Sequence, residues 1–165
     1  VSSSLFIKNR QRTIPVNVRY LRWLTRSVLQ DLLFVEDFDL AIYIVRAPEM
    51  AKLNETFLQH KGSTDVITFD YSDNPSLIAH HSSPFLHGEL FIGIDDAVAQ
   101  AREFRTTWPS ELARYVIHGI LHLRGHDDLK PAARRKMKRE EDRLLKKISE
   151  SFPLRKIADK PKLRL

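Results

Sequence analysis

The order of elements written in this chain predicts an α/β (α+β) domain around one small mixed sheet of about four strands. Two observations carry that expectation. Short runs rich in β-branched and aromatic residues alternate with segments of helical period, in the order β-α-β-α-β-β-α-α-α. One late segment, Ser110–Leu123, is apolar on most sides, which suits a buried central helix.

Leu5–Lys8 is a short strand-like run. From Asn17 to Phe34 apolar residues at Val18, Leu21, Leu24, Val28 and Leu32 recur at helical spacing. Phe38–Val45 (FDLAIYIV) reads as a strand with a well-buried face. Pro48 suits the first turn of a helix running to about Leu58, with Met50, Leu53 and Phe57 inward. His60-Lys61-Gly62-Ser63 forms a loop, Thr64–Tyr71 an alternating strand, and residues 72–87, with Ser, Pro and His but no period, a surface loop. Gly88–Ile94 (GELFIGI) is the next strand. Asp95 and Asp96 then open a helix to about Arg105, where the helix dipole favours acidic residues. Pro109 leads into the apolar helix, Gly125 ends it, and Pro131 starts a last helix to about Ser149 with Met137, Leu144, Leu145 and Ile148 on one stripe. The chain reads as one catalytic domain over residues 1–152, with a basic, flexible tail over 153–165.

The 165 residues are 42% hydrophobic, enough for one core. There is no cysteine, which removes disulfides, thiolate ligands and cysteine nucleophiles and leaves His, Asp and Glu as the strong metal ligands. No run approaches the roughly 18 uninterrupted apolar residues of a membrane span. No secretory h-region is visible in VSSSLFIKNRQRT, so no membrane association and a cytoplasmic location are expected. The net charge is +6, and it is unevenly placed. Residues 130–165 hold 14 Lys and Arg against 5 Asp and Glu, while residues 1–129 hold 13 against 16. A basic segment on a slightly acidic body suits a partner with a phosphate backbone, although a solvated helix and a loose tail would give the same count.

The chemistry concentrates in residues 118–128, HGILHLRGHDD. His118 and His122 are four apart on a helix, so their rings leave the same face one turn apart and can reach one ion. Gly125 can adopt the left-handed conformation that turns the chain back, bringing His126, Asp127 or Asp128 within reach as a third ligand. Three protein ligands and an open fourth position describe a catalytic zinc site. A surface pair of histidines is the plainer alternative, but imidazoles set among Ile and Leu need partners that a metal supplies. Gly119 stands where a zinc protease of the H-E-x-x-H type carries its general base, which argues against a peptidase.

This stretch resembles the YbeY family of endoribonucleases, also called rRNA maturation factors, whose pattern is H-G-x-L-H-L-x-G-[aromatic or His]-D-H. Two further blocks are similar to that family: Leu53-Asn54 with Thr64-Asp65-Val66-Ile67-Thr68-Phe69, and Gly88-Glu89-Leu90-Phe91-Ile92 with Ala97 and Gln100-Ala101. The resemblance implies a zinc-dependent endoribonuclease specific for single strands, acting in 3′-end maturation of small-subunit rRNA and in ribosome quality control. It implies one Zn²⁺ per chain and no small-molecule cofactor. RNA is the implied partner, through the small ribosomal subunit, with ribosomal or assembly proteins as further candidates. It assigns the metal to His118, His122 and Asp128, since the family's residue at position 126 is not a ligand. Two departures stand out. The last ligand is Asp128 where the family usually has His, which lowers the charge of the site and its Lewis acidity. At Leu58 the family usually has an Arg facing the substrate phosphate; Lys61 is the weak candidate to replace it. A ribosome-associated RNA-binding or assembly factor with a structural metal is the competing reading. His60, His80, His81 and His87 are expected to be solvated in loops.

Overall fold

The computed structural model describes residues 3–73 and 85–160. Among them, strands β1 (Ser4–Asn9), β2 (Phe38–Val45), β3 (Val66–Asp70) and β4 (Leu86–Gly93) form one sheet in the order β1-β2-β4-β3. β1 and β2 pair in parallel, as do β2 and β4, whereas β3 runs antiparallel to β4. The expected small mixed sheet of four strands is what the chain forms, with two parallel pairings and one antiparallel. Parallel neighbours need crossovers, and helix α1 (Val18–Ser27) lies between β1 and β2 in the chain, α2 (Ala47–Leu58) between β2 and β3. Helices α3 (Ile94–Phe104), α4 (Trp108–Leu123) and α5 (Pro131–Ser151) complete the described fold.

The pleat sorts side chains into two cores. Leu40, Ile42 and Ile44 of β2, with Leu90 and Ile92 of β4, face a large cluster shared with α1, α4 and α5. Val45, Phe91 and Ile67 lie in a smaller cluster with Met50 of α2. β2 and β4 thus bury residues on both faces, whereas edge strand β1 buries only Leu5 and Ile7 and leaves Phe6 on its other face 50% exposed. In α4, Leu112, Val116, Ile117, Ile120 and Leu121 are completely buried, so the helix that reads as apolar is the central one.

Four expectations need correction. Phe57 is not inward: it is 58% exposed, with its ring edge-on to that of Phe69 at 5.3 Å. The first helix does not run regularly to Phe34. It loosens into a π-helical turn over Val28–Leu32 and ends with Phe34 at φ 55°. His87 is not in a loop but in β4, half-buried, its Nε2 3.7 Å from Asp39. Nor does fraying begin at Pro153. Leu154–Ala158 forms a 3₁₀ turn whose Ile157 is fully buried and accepts a hydrogen bond from the Asn17 N–H at 2.7 Å. Tyr20 fixes the same segment by donating its hydroxyl to the Pro153 carbonyl at 3.0 Å. The basic count of residues 153–165 hid the apolar Ile157, which packs into the core with Leu154 against it, and the two hydrogen bonds add to that hold. His80 and His81 lie outside the described residues.

Candidate metal centre

Helix α4 starts where Thr107 accepts a hydrogen bond from the Ser110 N–H at 3.3 Å, with Pro109 in the first turn. Its sequence then carries a polar stripe, Arg114, His118 and His122, at spacings of four. The opposite side presses on the sheet. At Gly119 an added Cβ would lie 2.7 Å from both terminal carbons of Leu90, a fully buried side chain. Helix and strand meet closely there, so no glutamate fits where a zinc peptidase would need one. The end of α4 is a Schellman turn: Gly125, at φ 91°, donates to the His122 carbonyl at 2.9 Å and His126 donates to the Leu121 carbonyl at 3.0 Å. This turn swings residues 126–128 back across the stripe.

What it brings back is Asp128. Asp128 Oδ2 lies 3.7 Å from His118 Nε2 and 3.5 Å from His122 Nε2, and the two Nε2 atoms are 3.1 Å apart. All three donor atoms fall within 4.8 Å of one another, a group that can hold a metal ion. The other candidates behind Gly125 are used differently. His126 offers its main-chain carbonyl to His122 Nδ1 at 3.1 Å, and Asp127 accepts from the Leu129 N–H at 2.8 Å.

The far ring nitrogens show that this set fits a cation. His118 Nδ1 faces Oε2 of Glu141 at 2.8 Å, and His122 Nδ1 faces a carbonyl. Both acceptors favour the proton on Nδ1, which in the neutral rings leaves lone pairs on two Nε2 atoms 3.1 Å apart. Lone pairs so close repel unless a proton or a metal lies between them. Two imidazoles and one carboxylate are a donor set that a divalent metal ion accepts.

Glu141 is the residue that sequence reading missed. It is 5% exposed and also takes Arg114 Nη1 at 2.8 Å, while Arg114 reaches Asp142 at 2.7 Å. Burial opposes the charged form of Glu141, but hydrogen bonds from His118 and Arg114 outweigh it and hold the carboxyl below the usual range. Burial likewise opposes an imidazolium at His118, and the hydrogen bond and charge of Glu141, helped by Asp65 and Asp128, raise it nonetheless. A signal existed: Glu141 interrupts the apolar stripe Met137, Leu144, Leu145, Ile148 at a core position, where an unpaired carboxylate would be costly.

Arg114 and His118 of the stripe line a cleft of about 270 Å³ together with Asp128, Glu141, Asp65, Glu111, Tyr115, Arg134 and Lys138. Asp65 arrives on the loop before β3, which Asn54 steadies by donating its side-chain amide to the Gly62 carbonyl at 2.9 Å. Lys61 sits on that loop, exposed, and does not line the cleft; Leu58 is 45% exposed at the end of α2, and His60 is exposed beside it. The structure therefore brings His118, His122 and Asp128 together and leaves Lys61 apart from them.

Comparison with known proteins identifies a family and a shared fold. A model of the family described as endoribonuclease YbeY matches residues 6–149. A protein of that name from Salinibacter ruber is 32% identical over 126 residues, 74% of this chain and 80% of its own. One from Syntrophotalea carbinolica is 31% identical over 150 residues, 90% of this chain and 97% of its own. A solution structure of a Thermotoga maritima protein shares the fold, with a TM-score of 0.64 at 22% identity, covering 98% of this chain and all of that one. On a family match that takes in the helix bearing both histidines and nearly all of the sheet, this chain belongs to the YbeY endoribonuclease family.

Proposed function

We propose that this chain is a zinc-dependent endoribonuclease that cuts single-stranded RNA, with His118, His122 and Asp128 holding the ion. The observation that carries the reading is the pair of Nε2 atoms 3.1 Å apart, facing a carboxylate at the edge of an open cleft. When bound, a zinc ion supplies the positive charge that acidifies water and polarises a phosphoryl oxygen. The protein's own groups prepare that charge. Glu141 and the His126 carbonyl set the tautomer and aim the two rings, and Arg114 keeps Glu141 ionised in its buried position. Asp128 tempers the net charge where a third imidazole would not.

Family membership supports small-subunit rRNA as the substrate, with a role in 3′-end maturation and ribosome quality control, a cytoplasmic setting, and ribosomal or assembly proteins as neighbours. Among the described residues no helix is long and apolar enough to cross a membrane. The balance of 14 basic against 5 acidic residues from Lys130 onward supplies affinity for the RNA backbone without choosing sequence.

One observation favours the assembly-factor reading, in which the metal is structural: Leu58, an exposed apolar residue, stands where the family has its phosphate-facing Arg. Against it, structural zinc sites are closed by four protein ligands, and this group has three beside a cleft. The deciding experiment measures bound metal and cleavage of a single-stranded RNA, with chelator and after zinc is restored. An endonuclease loses cleavage with the metal and regains it with zinc. Zinc-loaded protein that melts higher than the stripped form yet leaves RNA uncut would be an assembly factor.

A further inference from the structure

The cleft wall contains four carboxylates, Asp65, Glu111, Asp128 and Glu141, against three cations, Arg114, Arg134 and Lys138. An incoming phosphodiester is an anion, so what matters is which cations are still available to it. Arg114 is engaged by Glu141 and Asp142 at 2.8 and 2.7 Å. Lys138 lies 3.3 Å from Asp142 and 3.8 Å from Glu141. Arg134 differs. Its Nε donates to the main-chain carbonyl of Asp128 at 3.0 Å, and among the described residues it makes no ion pair. The residue whose carboxylate faces both imidazoles therefore also holds, through its carbonyl, the guanidinium with spare donors.

We propose that Arg134 is the residue that grips the scissile phosphate, its Nη groups forming the paired contact that a guanidinium makes with two phosphate oxygens. The proposal rests on the RNA-cleaving reading above. A tether to the Asp128 carbonyl fixes the guanidinium plane relative to the candidate ligands before RNA arrives, so little ordering remains to be done on binding. The same tether has a purely structural interpretation, a clamp on the 126–130 turn, and the test separates the two.

The full chain loaded with zinc is compared with Arg134→Ala, Arg134→Lys and, as a control on the same helix but not lining the cleft, Arg135→Ala. Three quantities are read: zinc content, kcat on a single-stranded RNA, and the salt dependence of binding of that RNA by metal-free protein. A phosphate grip predicts that Arg134→Ala keeps its zinc, loses about 10²- to 10³-fold in kcat and flattens the slope of log K against log[salt] by about 0.7. Arg134→Lys should regain the slope and only part of the rate, because charge survives and the fork does not. Arg135→Ala should keep kcat. Loss of zinc in Arg134→Ala without a change in slope would make the residue a clamp and overturn the proposal, as would wild-type kcat and slope. If the wild-type protein cuts no RNA, the endonuclease reading fails by itself. The slope of Arg134→Ala then still decides whether this guanidinium meets a phosphate.

Discussion

The two sides of helix α4 are built under opposite rules. On the sheet side Gly119 lies against Leu90 so tightly that a methyl group would have to displace it, and the neighbours are apolar and fully buried. On the cleft side Arg114, His118 and His122 are partly exposed, and each is held by polar partners on α5 or on the turn behind Gly125. One side is fixed by shape, the other by hydrogen bonds. The site's geometry is therefore borrowed: packing sets the helix, and the helix sets the histidines.

The largest test separates the two sides by what each gives up. His122→Ala should remove the bound metal and lower RNA cleavage by roughly 10³-fold or more, since a metal supplies several kcal/mol to the transition state. The metal-free melting temperature should hardly move. Metal analysis beside a cleavage assay checks this, and a variant that still cuts RNA without metal would break the division.

Gly119→Ala is the mirror case. We expect a drop of about 1–3 kcal/mol in stability from overpacking, with metal binding retained at low temperature. Urea denaturation measures it. In the double variant with Leu90→Ala, the two costs should sum to less than their separate values because both act on the same helix–strand junction. Strict additivity would mean that Leu90 does not press on the helix.

A smaller effect concerns the link between Glu141 and the stripe. Glu141→Gln should weaken metal affinity by about 10–100-fold while leaving the ligands in place. It should also change the pH dependence of the metal-free protein. Glu141 titrates below its ordinary value, so its stabilisation is present above the unfolded carboxyl pKa and lost as pH falls through the folded one. His118 titrates above its ordinary value, so its share is present below the unfolded imidazole pKa and lost as pH rises through the folded one. The pair therefore stabilises most between the ordinary values of 4.5 and 6.5. Chemical denaturation from about pH 4 to about pH 8, which spans both ordinary values, should give a maximum there that Glu141→Gln flattens.

The smallest effect concerns the basic residues after Lys160. Truncation after Lys160 removes Lys162 and Arg164 and spares Ile157, so fold and metal should be unaffected. The salt slope of RNA binding should flatten by about 0.7 for each phosphate that the shortened chain no longer neutralises. An unchanged slope would leave the charge of the last residues to solubility or a protein partner.

Element order, the mixed sheet and the burial of α4 were all legible in the amino-acid sequence, because periods of two and 3.6 report which faces meet a core. So were His118 and His122, which need only one helix to be neighbours, and a glycine stop that turns the chain behind them. Whatever depends on groups distant in the chain was decided by the tertiary structure. Asp128 rather than His126 or Asp127 faces the imidazoles because the Schellman turn fixes which residue of three points inward. Glu141 meets His118 across 23 residues, and Asp65 joins the cleft from the loop before β3. Arg134 lies beside Asp128 because α5 starts there. Charge counting took residues 153–158 for a loose tail, since composition cannot tell that Ile157 finds a hydrophobic seat. Local periodicity fixes faces, and only packing decides which faces meet.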